Sequence, residues 1–342
     1  MSLAQRRIGT VRLAAVSVGG MMNKVLVLGG TGFVGRAFAA AWVAAHGGTG
    51  AGLRIPSRRP ARAKALAMLP TVELVEADVH DPAQLLALMA GCDAVVNLVA
   101  VLHGDARRFE QVHVTLPQRI AGACAAAGVT RLVHVSALGV DDAADAPPAP
   151  SLYLRSKTQG EQVLRAAPGL ALTLLRPSVI FGAEDRFINL FAALQALAPV
   201  MPLAGAAARF QPVWVDDVAH AIVACLTDPR HIGRTFECAG PQVLTLRELV
   251  QLAGRWSGHP RPVLPLPEWA GRLQAAALGL LPGEPLMSGD NLASMRVPNV
   301  AGGRLPGLAE LGIRAASLAD VMGPWLGGGG QRTNQLRMLA GR

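Results

Sequence analysis

Apolar and polar positions along this chain fall into alternating blocks. Lys24-Val-Leu-Val-Leu28 is a continuous apolar run ending in glycines, the pattern of a strand buried on both faces. The alanine-rich stretch that follows predicts a helix to about His46, and Gly52-Leu-Arg-Ile-Pro-Ser57 predicts a second strand. Next come a helix near Ala61–Met68, strand Val72–Glu76, helix Ala83–Met89 and strand Asp93–Val99. A helix over Phe109–Ala127 then leads into strand Arg131–Val135. After an acidic, proline-rich loop at 141–150, the pattern predicts a helix from Tyr153 to Ala166 and a strand Ala171–Leu175. Strands and helices alternating at this spacing predict an α/β fold, a doubly wound parallel sheet with helices on both faces. Beyond Gly182 the alternation decays. Proline clusters at 260–267 and 282–285 and a glycine run at 327–330 mark a smaller, irregular C-terminal α/β region, and there is no internal repeat.

Three clusters carry candidate chemistry. Gly29, Gly32 and Gly35 stand between the first strand and its helix, where backbone N–H groups meet a pyrophosphate at the positive end of the helix dipole. A purely structural turn is the alternative, and the position inside a βαβ unit argues against it. At the end of the second strand, where an acid would read a ribose 2′-hydroxyl, the chain has Ser57-Arg58-Arg59. Two guanidiniums and a hydroxyl suit a 2′-phosphate, so NADP(H) is preferred and NAD(H) is the alternative. Finally, Tyr153 is the only tyrosine of the chain, and Lys157 lies four residues on, on the same helix face. An ammonium there is expected to lower the phenol's pKa and make it a general acid/base. The duller reading is an aromatic packed beside a solvated lysine.

Composition narrows the class. With 342 residues, 51% hydrophobic and 16% charged, the chain is not largely disordered. Cys92, Cys124, Cys225 and Cys238 have neither metal-ligand spacing nor a disulfide pattern, and are expected to be small core residues of a cytoplasmic protein without a metal. The net charge is +9, but only three of the 32 basic residues are lysine and aromatics are 4%. That is a poor base-stacking surface, so no nucleic-acid partner is expected; an anionic membrane or acidic partner fits the charge. Phe187 to Ala208 carries no charge, yet Asn189, Gln195, Pro199, Pro202 and Gly205 interrupt it, so no transmembrane segment is expected. Residues 1–22 form an N-terminal extension, best explained by initiation at Met21 or Met22. His113 is expected to bond nearby backbone. Asp141 suggests no role, and Asp216-Asp217 are expected to cap the helix that follows.

Taken together, Val27-Leu-Gly-Gly-Thr-Gly-Phe-Val-Gly35, Asp78-Val79, His134-Val-Ser-Ala-Leu-Gly139, Tyr153-Leu-Arg-Ser-Lys157, Arg176-Pro-Ser-Val-Ile-Phe-Gly182 and Phe210-Gln-Pro-Val-Trp-Val-Asp-Asp217 resemble the extended and atypical short-chain dehydrogenase/reductases. The likeness runs from about Lys24 to Val300 and is strongest toward the atypical branch that includes the nucleotide-binding accessory subunit of respiratory complex I. It implies a Rossmann-type sheet domain over residues 23–182 and a substrate or partner region over 183–342, some segments of which return to the sheet. It further implies that Gly29, Thr31, Gly32, Phe33, Val34 and Gly35 surround the pyrophosphate, with Ser57, Arg58 and Arg59 at the 2′-phosphate. Asp78 and Val79 would meet the adenine, and Asn97, Leu98 and Val99 would pass beneath the ribose. Tyr153, Lys157, Pro177 and Val179 would approach the nicotinamide.

One departure stands out. Active extended members carry a second hydroxyl two residues beyond the serine after the fifth strand, whereas Ser136 is followed by Ala137 and Leu138. Losing that donor removes roughly 2–4 kcal/mol of carbonyl polarisation, unless Ser136 takes its place. Two functions stay open. One is an NADPH-binding subunit with little or no catalysis, peripheral to the inner face of a membrane and docked on a respiratory-complex or other membrane-associated partner. The other is an NADPH-dependent oxidoreductase or epimerase acting on a hydrophobic or sugar-nucleotide carbonyl through Tyr153 and Lys157.

Overall fold

The computed structural model describes residues 22–48, 51–140, 148–279 and 287–327. Asp141 and all but the last residue of the N-terminal extension lie outside them. Six parallel strands, β1 (Lys24–Leu28), β2 (Gly52–Ser57), β3 (Val72–Glu76), β4 (Ala94–Asn97), β5 (Arg131–Val135) and β6 (Ala171–Pro177), are joined at one edge by Thr235–Cys238. The spatial order runs from Thr235–Cys238 through β6, β5, β4, β1 and β2 to β3. The winding therefore reverses between β1 and β4, and the crevice beyond the carboxyl ends of these two strands is where such sheets take ligands.

The helices of the sheet layer are α1 (Phe33–Ala45), α2 (Lys64–Ala67), α3 (Pro82–Leu88), α4 (Ala106–Glu110), α5 (Leu116–Ala127) and α6 (Leu152–Arg165). Later in the chain come α7 (Ile188–Leu197), α8 (Val215–Thr227), α9 (Leu246–Trp256), α10 (Glu268–Gly279), α11 (Gly289–Ser294) and α12 (Leu318–Gly327). On one sheet face Phe38 and Trp42 of α1 pack with Ile222 and Leu226 of α8. On the other, Leu85, Leu116 and Ile120 cover Leu26 and Leu28. The strands need both covers, because β1, β4 and β5 are almost wholly buried. Residues beyond Phe181 build a separate apolar cluster around Phe191, Leu246, Leu249 and Met322.

Local chemistry moved several predicted boundaries. β4 ends at Asn97 because its Oδ1 turns to accept the Val99 N–H at 3.1 Å. The predicted Phe109–Ala127 helix starts earlier, at Ala106, where Asp105 caps the Arg108 N–H at 2.8 Å, and it contains a π-turn over Gln111–Thr115. The predicted Ala61–Met68 helix is a 3-10 turn, Pro60–Arg62, followed by the four residues of α2. Asp216 and Asp217 do not cap α8. Trp214 occupies the cap position, and Asp217, already in the first turn, accepts the Ala316 N–H at 2.8 Å. Among the described residues, no helix is long and apolar enough to cross a membrane, and no group of His, Cys, Asp or Glu is placed to hold a metal. All four cysteines are free and buried.

Candidate functional site

The glycine turn is shaped by contacts that exclude side chains. Gly29 has φ of 79°, and a Cβ there would lie 3.0 Å from the Leu98 carbonyl carbon. A Cβ on Gly35 would lie 2.4 Å from Gly30 Cα, so α1 sits directly on the turn. Gly32, in extended conformation at the helix start, caps it with no side chain. The N-terminal N–H groups of α1 thus face the crevice without a built-in acceptor, which is an anion site by geometry and dipole. Thr31 accepts Arg36 Nη1 at 2.8 Å through its carbonyl, and Arg36 also pairs with Glu184. Phe33 lies against the chain just after Phe181, where a Cβ on Gly182 would stand 3.1 Å from its ring. Val34 is partly buried against the core on the α8 side.

At the outer end of the crevice, Ser57 Oγ accepts the Arg59 N–H at 3.2 Å, and Arg58 and Arg59 are exposed. Asp78 braces its own turn by accepting the His80 N–H at 3.0 Å, with Val79 partly buried between them. Burial first, then the positive charge of Arg108, Arg58 and Arg119, lowers the pKa of His80 against the pull of Asp78. This corner is rich in cation and poor in acid.

Beneath the inner end lies a buried polar layer. Lys157 is 2% exposed and donates from Nζ to the Val135 carbonyl at 3.0 Å. Burial pulls its pKa down to about 8, against the opposing charge of Glu161. Glu161 is fully buried and takes both arms of Arg176, at 2.9 and 2.6 Å, with Arg165 at 3.6 Å. Asn97 Nδ2 donates to His134 Nδ1 at 3.0 Å, beside β1. Ser136 is 6% exposed and its Oγ has no hydrogen-bond partner among the described residues. Its own N–H and that of Leu138 extend the ladder to β6, bonding the Leu175 and Pro177 carbonyls at 2.7 and 2.9 Å. No side-chain hydroxyl follows it. Val179 closes this end, its N–H donating to Asn299 Oδ1 at 2.8 Å.

Tyr153 shares the face of α6 with Lys157, but its phenol is not tuned as expected. Burial pushes it up to about 12, and no lowering by Lys157 offsets that. A buried ammonium that is itself drawn to about 8 is a weak source of positive charge at the tyrosine. The ring is edge-on to His113 at 5.5 Å and to Phe109 at 6.2 Å.

Two further residues join this group: His113, which the sequence left in a bland role, and Asp290, which it did not single out. His113, in the π-turn, accepts the Val101 N–H on Nε2 at 3.1 Å and lies 2.8 Å from Ser156 Oγ through Nδ1. Ser156 in turn donates to the Tyr153 carbonyl at 2.8 Å, so Nδ1 carries the imidazole proton and donates to the serine. Burial, Lys157 and Arg108 lower its pKa to about 3, which keeps the ring neutral. A Cβ on Gly160 would meet the His113 carbonyl at 2.0 Å, so the π-turn and α6 are in backbone contact. From α11, Asp290 accepts the Leu152 and Tyr153 N–H groups at 2.7 and 3.1 Å and caps α6 from 137 residues away. Nothing near Asp290 in sequence signals this. For His113, the signal was a histidine on an otherwise apolar helix face.

A side-chain-free cradle at a helix N-terminus and an orphaned buried hydroxyl at the inner end fit a dinucleotide lying across the carboxyl ends of β1 and β4. The sheet and its glycine turn define a Rossmann-type protein whose cradle fits a nicotinamide dinucleotide. The family model described as NAD(P)H-binding matches residues 29–229, and the chain belongs to that family. It is 33% identical over 304 residues to NADH dehydrogenase [ubiquinone] 1 alpha subcomplex subunit 9, mitochondrial, of Mus musculus, covering 85% of this chain and 76% of that protein. Over 240 residues it is 31% identical to the (4-alkanoyl-5-oxo-2,5-dihydrofuran-3-yl)methyl phosphate reductase of Streptomyces griseus, covering 69% and 74%. Among solved structures, the dTDP-glucose 4,6-dehydratase DesIV from Streptomyces venezuelae, with NAD and TYD bound, superposes with a TM-score of 0.70. It is 24% identical, covers 91% of this chain and 98% of that one, and supports the fold.

Proposed function

We propose that this chain is an NADPH-holding accessory subunit of a respiratory complex, peripheral to the inner face of the membrane, in which the dinucleotide is retained rather than turned over. The observation that carries this is the inner end of the site. Ser136 stands alone, Ala137 and Leu138 bring no hydroxyl, and burial drives the Tyr153 phenol to about 12. Carbonyl reduction without the second donor forfeits roughly 2–4 kcal/mol of barrier lowering, a factor of about 30 to 900 in rate. The likeness to the mouse subunit supports the assembly.

In this reading Gly29, Thr31, Gly32, Phe33, Val34 and Gly35 enclose the pyrophosphate. Ser57, Arg58 and Arg59 receive the 2′-phosphate, Asp78 and Val79 the adenine, and Asn97, Leu98 and Val99 underlie the ribose. Lys157, Tyr153, Ser136, Pro177 and Val179 meet the nicotinamide end. The dinucleotide in its reduced form supplies a hydride, and Lys157 orients the nicotinamide ribose whether or not that hydride is used. Residues 23–182 carry the cofactor, and residues 183–342 carry the docking or substrate surface.

The second reading is an active reductase or epimerase in which Tyr153 delivers the proton. It draws on the retained Tyr153–Lys157 pair and on the Streptomyces griseus reductase among the relatives. The test is the release rate of NADPH from the purified protein, chased with excess NADP and followed by fluorescence. Retention for hours, with Tyr153→Phe growing as well as the parent in cells, is the expected result. Release within seconds, together with a growth defect in Tyr153→Phe that still binds NADPH, would overturn it in favour of catalysis.

A further inference from the structure

A second cavity, of about 870 Å³, opens in the C-terminal region between residues 204–208, α10 and α11. Its volume lies in the range that encloses a small-molecule ligand. Its inner wall is Ala204, Ala206, Ala208, Leu266, Leu292 and Met295, with no charged atom among them. Glycines let the walls of the cavity close on one another. A Cβ on Gly205 would stand 2.7 Å from Met295 Sδ, and one on Gly271 2.7 Å from Ala204 Cβ.

The charged lining residues are Arg247, Arg272, Arg296 and Glu268, all exposed, and so they form the opening. Glu268 is shared by Arg272 and Arg296, which together hold its carboxyl below the usual range. Three guanidiniums against one carboxylate leave the mouth two charges positive. Arg247 has no ion pair among the described residues and sits in the first turn of α9, where the helix dipole disfavours a cation. The first-turn N–H groups are already bonded, Leu246 to Ala208, Arg247 to Ala206 and Glu248 to Thr245 Oγ1. An anion at this mouth is therefore held by guanidinium, not by backbone.

We propose that this cavity binds an anionic amphiphile, its apolar chain against the alanine wall and its carboxylate or phosphate head at Arg247. The wall also belongs to the dinucleotide end of the molecule. Gly289, Leu292 and Ala293 of α11 line the cavity, while Asp290 of the same helix caps α6 at Tyr153. The proposal does not depend on whether NADPH is retained or turned over.

The experiment is calorimetric titration of the full chain with dodecyl phosphate, laurate and dodecanol as monomers, with NADPH binding as the fold control. One-to-one binding is expected for both anions, with dodecanol at least tenfold weaker. Laurate matching dodecyl phosphate identifies a head-group site for any anion, and a preference for one assigns the head. Arg247→Glu weakens both anions at least tenfold, and Ala206→Trp fills the wall and abolishes binding. NADPH affinity is unchanged in both variants. Equal affinity for dodecanol, no saturable anion binding, or full anion affinity in Arg247→Glu overturns the proposal. If Ala206→Trp also loses NADPH, the Arg247→Glu arm, at an exposed position, decides alone.

Discussion

Replacing Lys157 with Met separates the stability of this fold from its function. The lysine is 2% exposed, and its pKa is pulled from the ordinary 10.5 to about 8. Below pH 8 both folded and unfolded chains hold the proton, and the folded state carries the whole penalty. At 1.36 kcal/mol per unit this is about 3 kcal/mol. Between pH 8 and 10.5 the unfolded chain binds more protons than the folded one, so wild-type stability rises with pH and the penalty vanishes above that window. Methionine fills similar volume without the charge. It also forfeits the Nζ bond to the Val135 carbonyl, which is worth about 1 kcal/mol. Glu161 keeps its two-armed contact with Arg176, so no buried carboxylate is stranded.

The net expectation for Lys157→Met at pH 7 is a gain of about 2 kcal/mol, or a Tm about 3 °C higher for a chain of this length. By pH 9.5 the advantage shrinks to roughly a quarter as the wild-type penalty fades. Buried thiols such as Cys225, with its pKa raised to about 12, also titrate late, but they do so in both proteins and cancel in the difference. Under the proposed function the same variant binds NADPH roughly tenfold more weakly or worse, about 1.4 kcal/mol of lost contact. Thermal melts of both proteins from pH 7 to 9.5, with and without NADPH, read all of this. A variant less stable than wild type at pH 7, or a difference that does not move with pH, refutes the reasoning.

Three further outcomes follow from the same geometry. Arg58→Ala with Arg59→Ala should weaken NADPH roughly tenfold or more while leaving NADH within about threefold, because only the 2′-phosphate loses its bidentate partner; equal losses for both cofactors in binding titrations would mean that the corner does not read that phosphate. Gly29→Val places a branched side chain at φ 79° and 3.0 Å from the Leu98 carbonyl carbon, so NADPH binding should be lost and about 1–3 kcal/mol of stability with it, read by urea unfolding. For His113, held near pKa 3, the unfolded chain takes the proton first as pH falls below 6.5, so its share of stability lost between pH 7 and 5 is about 2 kcal/mol. His113→Gln, which can accept from Val101 and donate to Ser156, should abolish that share at little cost at pH 7, whereas His113→Phe should abolish it too but start about 1–3 kcal/mol below wild type at pH 7, a deficit that shrinks by about 2 kcal/mol at pH 5; denaturant midpoints at pH 5 and 7 distinguish the two.

How far the sequence reveals this molecule depends on how local each cause is. A parallel strand buried on both faces is a continuous apolar run, and β1 stood out for that reason; β2, β3 and β5 carry polar residues among their apolar ones but were still legible at their observed limits, and the glycine turn declared itself through its place between strand and helix. Thr235–Cys238 did not. It completes the sheet from a stretch where alternation had already decayed, because its partner β6 lies some sixty residues earlier. The π-turn has no short-range pattern of its own. It exists because Gly160 lets the His113 carbonyl approach α6, and that contact joins segments 47 residues apart. Asp290 caps α6 across a still longer span, and its reason lies wholly in tertiary placement. The direction of the Tyr153 shift fails for a related cause. Spacing shows which charges can be neighbours, but not how dry the site is, and here dryness outweighs the neighbour for both Tyr153 and Lys157. The residues proposed to touch a ligand were thus readable as types in a motif. The bracing roles of His113, Glu161, Arg176 and Asp290 became visible only once the chain was folded around them.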